Sequence, residues 1–273
     1  MYITLNPLKF DRPLIMGVLN ITPDSFSDGG KFLDPQTAIA HAKQMAADGA
    51  DIIDIGGEST RPGSIRITAK EELDRVIPVL RVLVKELNTA ISIDTMKPEV
   101  ANECFQLGAH ILNDVTGLRN EEMIKVAAKH NVPTIIMHMQ STPETMQENP
   151  TYHDVVQDIK TYLKTRAQKA KEAGIQQIII DPGIGFGKTV EHNLQILKRL
   201  HEFQDLGYPI LVGPSRKTFI GKLTGDLPPT ERLEGTLAAV AIAIFNGANM
   251  IRAHDAKETK RAVQIATAIK NVG

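Results

Sequence analysis

The chain has 273 residues, 42% hydrophobic and 23% charged, and its 31 Lys and Arg against 32 Asp and Glu leave a net charge of −1. That balance supplies an ample core and excludes the basic excess that a nucleic-acid surface needs, while a local basic patch for a small anionic substrate stays open. The single cysteine, Cys104, excludes a disulfide framework and any multi-thiolate metal centre.

In chain order, Met1–Arg12 has no basic run followed by an apolar one, so it reads as a short lead-in covering one end of the fold rather than a signal peptide. Leu14–Leu19 is the first expected strand. Asp34-Pro35 then opens a helix as N-cap and first-turn proline, with Ala38, Ile39, Ala42 and Met45 at helical spacing and Gly49 at its end. Ile52–Ile55 and Ala90–Ile93 are the next strands. Lys97-Pro98 opens a helix running to Gly108, and Cys104 within Glu99–Leu107 reads as a buried, inert thiol. His110–Asn113 is followed by a helix opened by Asn120-Glu121-Glu122. Thr134–Met137 precedes the longest helical stretch, Tyr152 to Ala173. Gln177–Ile180, Ile210–Val212 and Met250–Arg252 complete the strands, and Asp255 with Glu258 forms a capping-box pattern before the final helix. No apolar run approaches the ~20 residues of a membrane span. The closest is Leu237–Phe245. A cytoplasmic protein with no membrane partner is expected.

Runs such as Thr134-Ile135-Ile136-Met137 are continuously apolar, as strands covered on both faces of a parallel sheet are. Eight strand–helix repeats without a linker predict the α/β class and a single-domain (β/α)8 TIM barrel over residues 1–273. An open doubly wound sheet normally has fewer strands at this length.

Such barrels carry their chemistry at the C-terminal ends of the strands. Every expected strand here runs into polar residues: Asn20, Asp54 to Gly63, Asp94-Thr95, Asn113-Asp114, Met137-His138, Asp181 to Lys188, Ser215-Arg216-Lys217 and Arg252-Ala253-His254-Asp255. One Asp after a strand commonly caps a helix, but Lys and Arg do not serve as N-caps, so eight such exits point to a small-molecule site. Asp94, Asp181 and Asn113 suit a flat heterocycle with several N–H donors, and Lys217, Arg252, Arg61 and His254 suit an anion. Three apparent motifs fail. Pro182 stands where a P-loop ending at Gly187-Lys188-Thr189 needs its first glycine, and Lys188 stands where the dinucleotide fingerprint needs its third. Lys217 replaces the last glycine of a nucleophile elbow. His138 and His254 lack zinc-ligand spacing, and His41, His130, His192 and His201 read as surface or packing residues.

The segments Asn20-Ile21-Thr22-Pro23-Asp24-Ser25-Phe26-Ser27-Asp28-Gly29-Gly30 and Asp54-Ile55-Gly56-Gly57-Glu58-Ser59-Thr60-Arg61-Pro62-Gly63 closely resemble two signatures of the dihydropteroate synthases. Asp181 to Lys188, Ser215-Arg216-Lys217 and Ile251 to Asp255 resemble further blocks of that family, in order along nearly the whole chain. The resemblance implies condensation of 6-hydroxymethyl-7,8-dihydropterin diphosphate with p-aminobenzoate to give dihydropteroate and pyrophosphate. It implies that Asp94, Asn113 and Asp181 hold the pterin's donor edge, with Met137 also binding substrate. Lys217 meets the carbonyl or ring-nitrogen side of the pterin and Arg252 lies against its ring face. Asn20 ligates Mg²⁺, while Arg252, His254 and Thr60 handle the diphosphate. Asp28 stabilises a cation-like state, and Thr60, Arg61, Pro62, Phe186, Ser215 and Lys217 shape the aminobenzoate pocket. A homodimer and a role as a sulfonamide target are part of the same implication, with the Leu237–Phe245 helix reading equally as the dimer interface or as a buried barrel helix. Two rivals are a pterin-dependent methyltransferase and a non-catalytic pterin-binding module. Thr60-Arg61-Pro62, Ser215-Arg216-Lys217 and Phe26-Ser27-Asp28 favour the synthase over the first, and Arg252-Ala253-His254 favours it over the second.

Overall fold

Strand after strand, every second side chain points into the lumen of a closed barrel, and this alternation decides which residues meet at its mouth. The computed structural model describes residues 12–22, 34–60 and 64–272. Its eight parallel strands are β1 (Leu14–Asn20), β2 (Ile52–Gly56), β3 (Ala90–Asp94), β4 (Ile111–Asp114), β5 (Thr134–Met137), β6 (Ile178–Asp181), β7 (Leu211–Val212) and β8 (Met250–Ala253). The hydrogen-bonded order is β6-β5-β4-β3-β2-β1-β8-β7. A lone bridge between Ile180 and Ile210 closes the ring between β6 and β7. The expected (β/α)8 barrel is therefore the observed fold.

Among the described residues the α-helices are α1 (Pro35–Asp48), α2 (Ala69–Glu86), α3 (Pro98–Gln106), α4 (Glu121–His130), α5 (Val155–Glu172), α6 (Val190–Lys198), α7 (Thr218–Leu223), α8 (Leu233–Phe245) and α9 (Ala256–Asn271). None is long and apolar enough to cross a membrane. Their inner faces join the outward side chains of the strands, such as Ile53, Ile91 and Ile180, in one buried cluster. A second cluster fills the lumen with one or two residues from every strand: Leu14, Met16, Ile52, Ala90, Ile111, Ile135, Ile179, Leu211 and Met250. Burying each of these is worth about 1.5–3 kcal/mol. Two residues further along the strands, period two brings Asp54, Ser92, Asn113, Met137, Asp181 and Arg252 inward, above that apolar plug.

Six of the eight strands end a residue later than the hydrophobic pattern predicts, while β5 and β7 end at Met137 and Val212 as expected. Gly56 pairs with Asp94, Asp94 with Asn113, and Met137 with Asp181. A ladder is built from backbone groups, so polarity ends the sequence signal before it ends the strand. Two expected caps also differ. Asp34 occupies the N-cap of α1 and Gly49 closes that helix at φ +106°, yet the Asp34 side chain makes no cap bond. Asp255 makes none on α9, because its carboxylate forks to the Arg216 guanidinium at 2.5 and 3.1 Å. A bidentate charged pair outcompetes a single backbone donor. Asn120 caps α4 as expected, accepting from Glu122 N at 3.0 Å. Two capping boxes were not foreseen, Thr68 with Glu71 on α2 and Thr189 with His192 on α6.

Candidate active site

The floor of the barrel mouth is a charge cluster drawn from four strands. Arg252 of β8 reaches across the lumen, its Nε 2.7 Å from Asp54 Oδ2 of β2 and its Nη2 2.8 Å from Asp94 Oδ2 of β3. Asn113 of β4 donates from Nδ2 to the same Asp54 oxygen at 3.0 Å. The other oxygens, Asp54 Oδ1 and Asp94 Oδ1, are buried with no donor among the described residues. A buried acceptor without a donor costs about 1–3 kcal/mol, so these two oxygens favour a ligand that brings N–H groups. Burial pushes the Asp94 carboxyl up to about 7, against the pull of Arg252 and with Asp54 adding to the rise.

Asp181 ends β6 on the opposite wall. Its Oδ1 accepts from Gly183 N at 2.7 Å, and burial raises the carboxyl to about 6 against that bond and against Lys217, Lys188 and Arg252. Lys217 precedes α7 and places its ammonium 4.1 Å above the centre of the Phe186 ring. A cation so placed over a ring face is held by about 0.5–2 kcal/mol. Gly185 makes the approach possible: a Cβ there would lie 2.8 Å from Lys217 Cδ, and its φ of +82° suits glycine. Ser215 Oγ lies 3.0 Å from His254 Nδ1 and accepts from His254 N at 3.2 Å, tying the seventh exit to the eighth. Val115, Met137, Met139 and Met146, with Met96 and Phe186 packed on them, form an apolar shelf beside the acids. Thioethers are soft and adaptable, well suited to the flat side of a ring.

The second exit is anchored from below. Glu58 accepts from Ile67 N at 3.1 Å and meets Lys97 Nζ at 2.6 Å, and Lys97 also meets the buried Glu72 at 2.6 Å. Arg66, beyond that anchor, pairs with Glu144 of the β5–α5 loop. Thr60 stands half-buried just before residues 61–63. Asp28, Arg61 and Pro62 lie outside the described residues, as does the lead-in apart from Arg12, which pairs with Asp51 at 2.5 Å.

Mg²⁺ can be tested against what surrounds Asn20. A Cβ on Gly56 would fill a place 3.7 Å from Asn20 Oδ1 and 3.6 Å from Asp94 Cβ, which glycine leaves open. Among the described residues no group of three His, Cys, Asp or Glu is placed to hold a metal. One amide oxygen beside an open place does not fit zinc. It does fit Mg²⁺, which keeps several waters and takes further ligands from a substrate phosphate.

The structure brings Asp94, Asn113, Asp181, Met137 and Arg252 into one mouth, with Lys217, Phe186, Ser215 and His254 on its rim. Sequence reasoning missed Asp54, quoted only as the start of a motif. Its signal was a carboxylate on the inward parity of the strand Ile52-Ile53-Asp54-Ile55. Lys188 entered only through two failed glycine motifs and as the end of a family block, with no role of its own, and it is buried. Cys104 is buried as expected, its thiol pushed up to about 12 by burial.

This mouth belongs to the pterin binding enzymes, whose family model matches residues 16–254. The dihydropteroate synthase of Escherichia coli K12 is 46% identical over 263 residues, 96% of this chain and 93% of its own. The Yersinia pestis dihydropteroate synthase, solved with a sulfonamide drug, superposes with a TM-score of 0.93 at 43% identity and 97% of each chain. The Thermus thermophilus enzyme, each time covering 96% of both chains, was solved with 4-aminobenzoate (TM-score 0.87, 44% identity) and with 6HMPPP (TM-score 0.84, 43% identity). The chain belongs to the dihydropteroate synthase family, transferases of folate biosynthesis.

Proposed function

We propose that this mouth condenses 6-hydroxymethyl-7,8-dihydropterin diphosphate with p-aminobenzoate, and that the two donor-less oxygens of Asp54 and Asp94 are the observation that carries the reading. A pterin's amino group and ring N–H groups supply the donors those oxygens lack. Asp181 and Asn113 complete the edge, and the methionine shelf with Met137 takes a ring face. The guanidinium of Arg252 gives two of its in-plane donors to the carboxylates, which fixes its plane and leaves its flat face to stack on the pterin. Asn20 would hold Mg²⁺, which when bound neutralises diphosphate charge and so improves the leaving group.

The reaction forms one bond and breaks one. The aniline nitrogen of p-aminobenzoate attacks the exocyclic methylene carbon, the C–O bond to the diphosphate breaks, and the nitrogen sheds a proton to solvent. Electron release from the dihydropterin ring lets C–O cleavage run ahead of attack, and the Asp94 carboxylate below steadies the cation-like carbon framework. His254, fixed by Ser215, and Thr60 meet the departing diphosphate. Lys217 over Phe186, with Ser215, Arg61 and Pro62, holds the carboxylate and ring of the aminobenzoate. Asp28 stabilises the cation from the first loop. Incubation with both substrates and Mg²⁺ is expected to release pyrophosphate and dihydropteroate at equal rates. Pterin binding with neither product would instead favour a binding module or a methyltransferase.

A homodimer and a cytoplasmic location belong to the same proposal. Ile242 and Phe245 of α8 and Ile265 and Ile269 of α9 are half or more exposed on two helices that pack side by side. Four large apolar side chains grouped there favour a self-complementary contact with a second copy. Sedimentation at micromolar concentration is expected to give twice the chain mass, and Phe245→Lys to shift it toward one; a monomer in the parent protein would end this part.

A further inference from the structure

Between the exits of β5 and β6 lies a cation that the scheme above leaves without a task. Lys188 is 4% exposed, and its Nζ donates to Phe186 O at 2.8 Å, with His138 Nδ1 at 3.1 Å and His138 O at 3.4 Å. Burial, then Lys188 and Arg119, push His138 down to about 2, so its ring is neutral and Nδ1 is free to accept. Burial also lowers Lys188 itself to about 7, and Asp181 resists this through space. A buried lysine whose hydrogen-bonding acceptors are two carbonyls and an imidazole is costly, which sets it apart from an ordinary surface cation.

What it holds is the turn under the second substrate. Three consecutive carbonyls of that turn each take a side-chain donor: Gly185 O from Gln147 Nε2 at 2.8 Å, Phe186 O from Lys188, and Gly187 O from Tyr152 Oη at 2.7 Å. Of the three donors only Lys188 belongs to the turn and also reaches the β5 exit. The residue it grips, Phe186, carries the ring beneath Lys217. We infer that Lys188 is a positioning residue for p-aminobenzoate, locking the Phe186 turn onto the fifth strand exit so that ring and Lys217 ammonium face the second substrate together.

The inference rests on the proposed synthase reaction, and one experiment separates the two. Lys188→Met keeps the length of the side chain and removes every donor, whereas Lys188→Gln keeps donors without charge. At pH 8, where Asp181 is ionised and the Lys188 amine still donates, Lys188→Met is expected to raise KM for p-aminobenzoate about tenfold, the value of one strong neutral hydrogen bond. Pterin affinity by calorimetry should stay near the parent value, Lys188→Gln should recover much of the loss, and a crystal structure of Lys188→Met should show Phe186 moved off Lys217. An unmoved Phe186, an unchanged KM, or equal weakening of both substrates would overturn it, and so would failure of both variants to fold. An active parent enzyme with these results loses only this inference; a parent that makes no dihydropteroate loses the synthase reading as well.

Discussion

Arg252→Met is expected to abolish turnover, lowering kcat/KM by about a thousandfold or more, and to cost the fold about 3–5 kcal/mol. The reason is the pair of carboxylates that Arg252 bridges at 2.7 and 2.8 Å, both inside the barrel. Removing the guanidinium bonded to them leaves like charges side by side in a poorly solvated place. Asp94, already up at about 7 and held from rising further by Arg252, then keeps its proton to higher pH. The sign follows from proton uptake. A carboxyl whose folded pKa is raised binds more protons folded than unfolded, so its contribution to stability is present at low pH and is lost as pH climbs through the folded pKa. The variant is therefore expected to be closer to the parent protein at pH 6 than at pH 8. Urea midpoints at the two pH values, with steady-state kinetics, test this. Arg252→Lys sharpens the test, because one ammonium restores charge but not the fork. It should recover stability far more than turnover. Equal penalties at both pH values would refute the electrostatic account.

Gly183→Ala is expected to be the most damaging single methyl in the mouth, destabilising by about 3 kcal/mol or more. Its φ is +72°, and the added Cβ would collide with the His138 carbonyl oxygen while lying 3.1 Å from the carbonyl carbon. That carbonyl cannot withdraw cheaply, because His138 N is bonded to Asp181 O at 2.9 Å in continuation of the β5–β6 ladder. The same methyl would disturb the Gly183 N–H that Asp181 accepts. Gly174→Ala is the matched control. It has a φ of +97° with nothing within 4 Å of the added carbon, so it should show the conformational cost alone, about 1 kcal/mol. Denaturation midpoints of the two variants separate strain from collision. Similar losses in both would mean that the turn yields and that Asp181 is less firmly held than described.

The barrel was legible because its signal is repetitive: eight apolar runs between helical patterns, each followed by polar residues. Position around the barrel was legible too, since strands joined in sequence lie side by side. Depth was harder to read. A strand's end is set by backbone pairing, so the pattern stops at Ile93 and Ile180 while the strands go on to Asp94 and Asp181. Inward parity singles out Asp54, but only once β2 is aligned with its neighbours, and nothing local says that Arg252 is its partner 198 residues away. Asp255 shows the converse. Its local pattern promises a cap, and a distant residue, Arg216, takes the carboxylate instead. Lys188 was hidden because lysine on a glycine-rich turn ordinarily points to water, and only the packed neighbours reveal that it does not.

The reach of Arg252 across the lumen also fixes when, in the life of the chain, a site can exist. The acids it neutralises are made early in synthesis, on the second and third strands, and their counter-ion comes with the eighth. A ribosome that has delivered the first seven strands has made two carboxylates with nothing to balance them and a ring with a gap beside β1. Docking of the last strand supplies the strand beside β1 and the counter-charge of Asp54 and Asp94 together. Assembly and competence are the same transition.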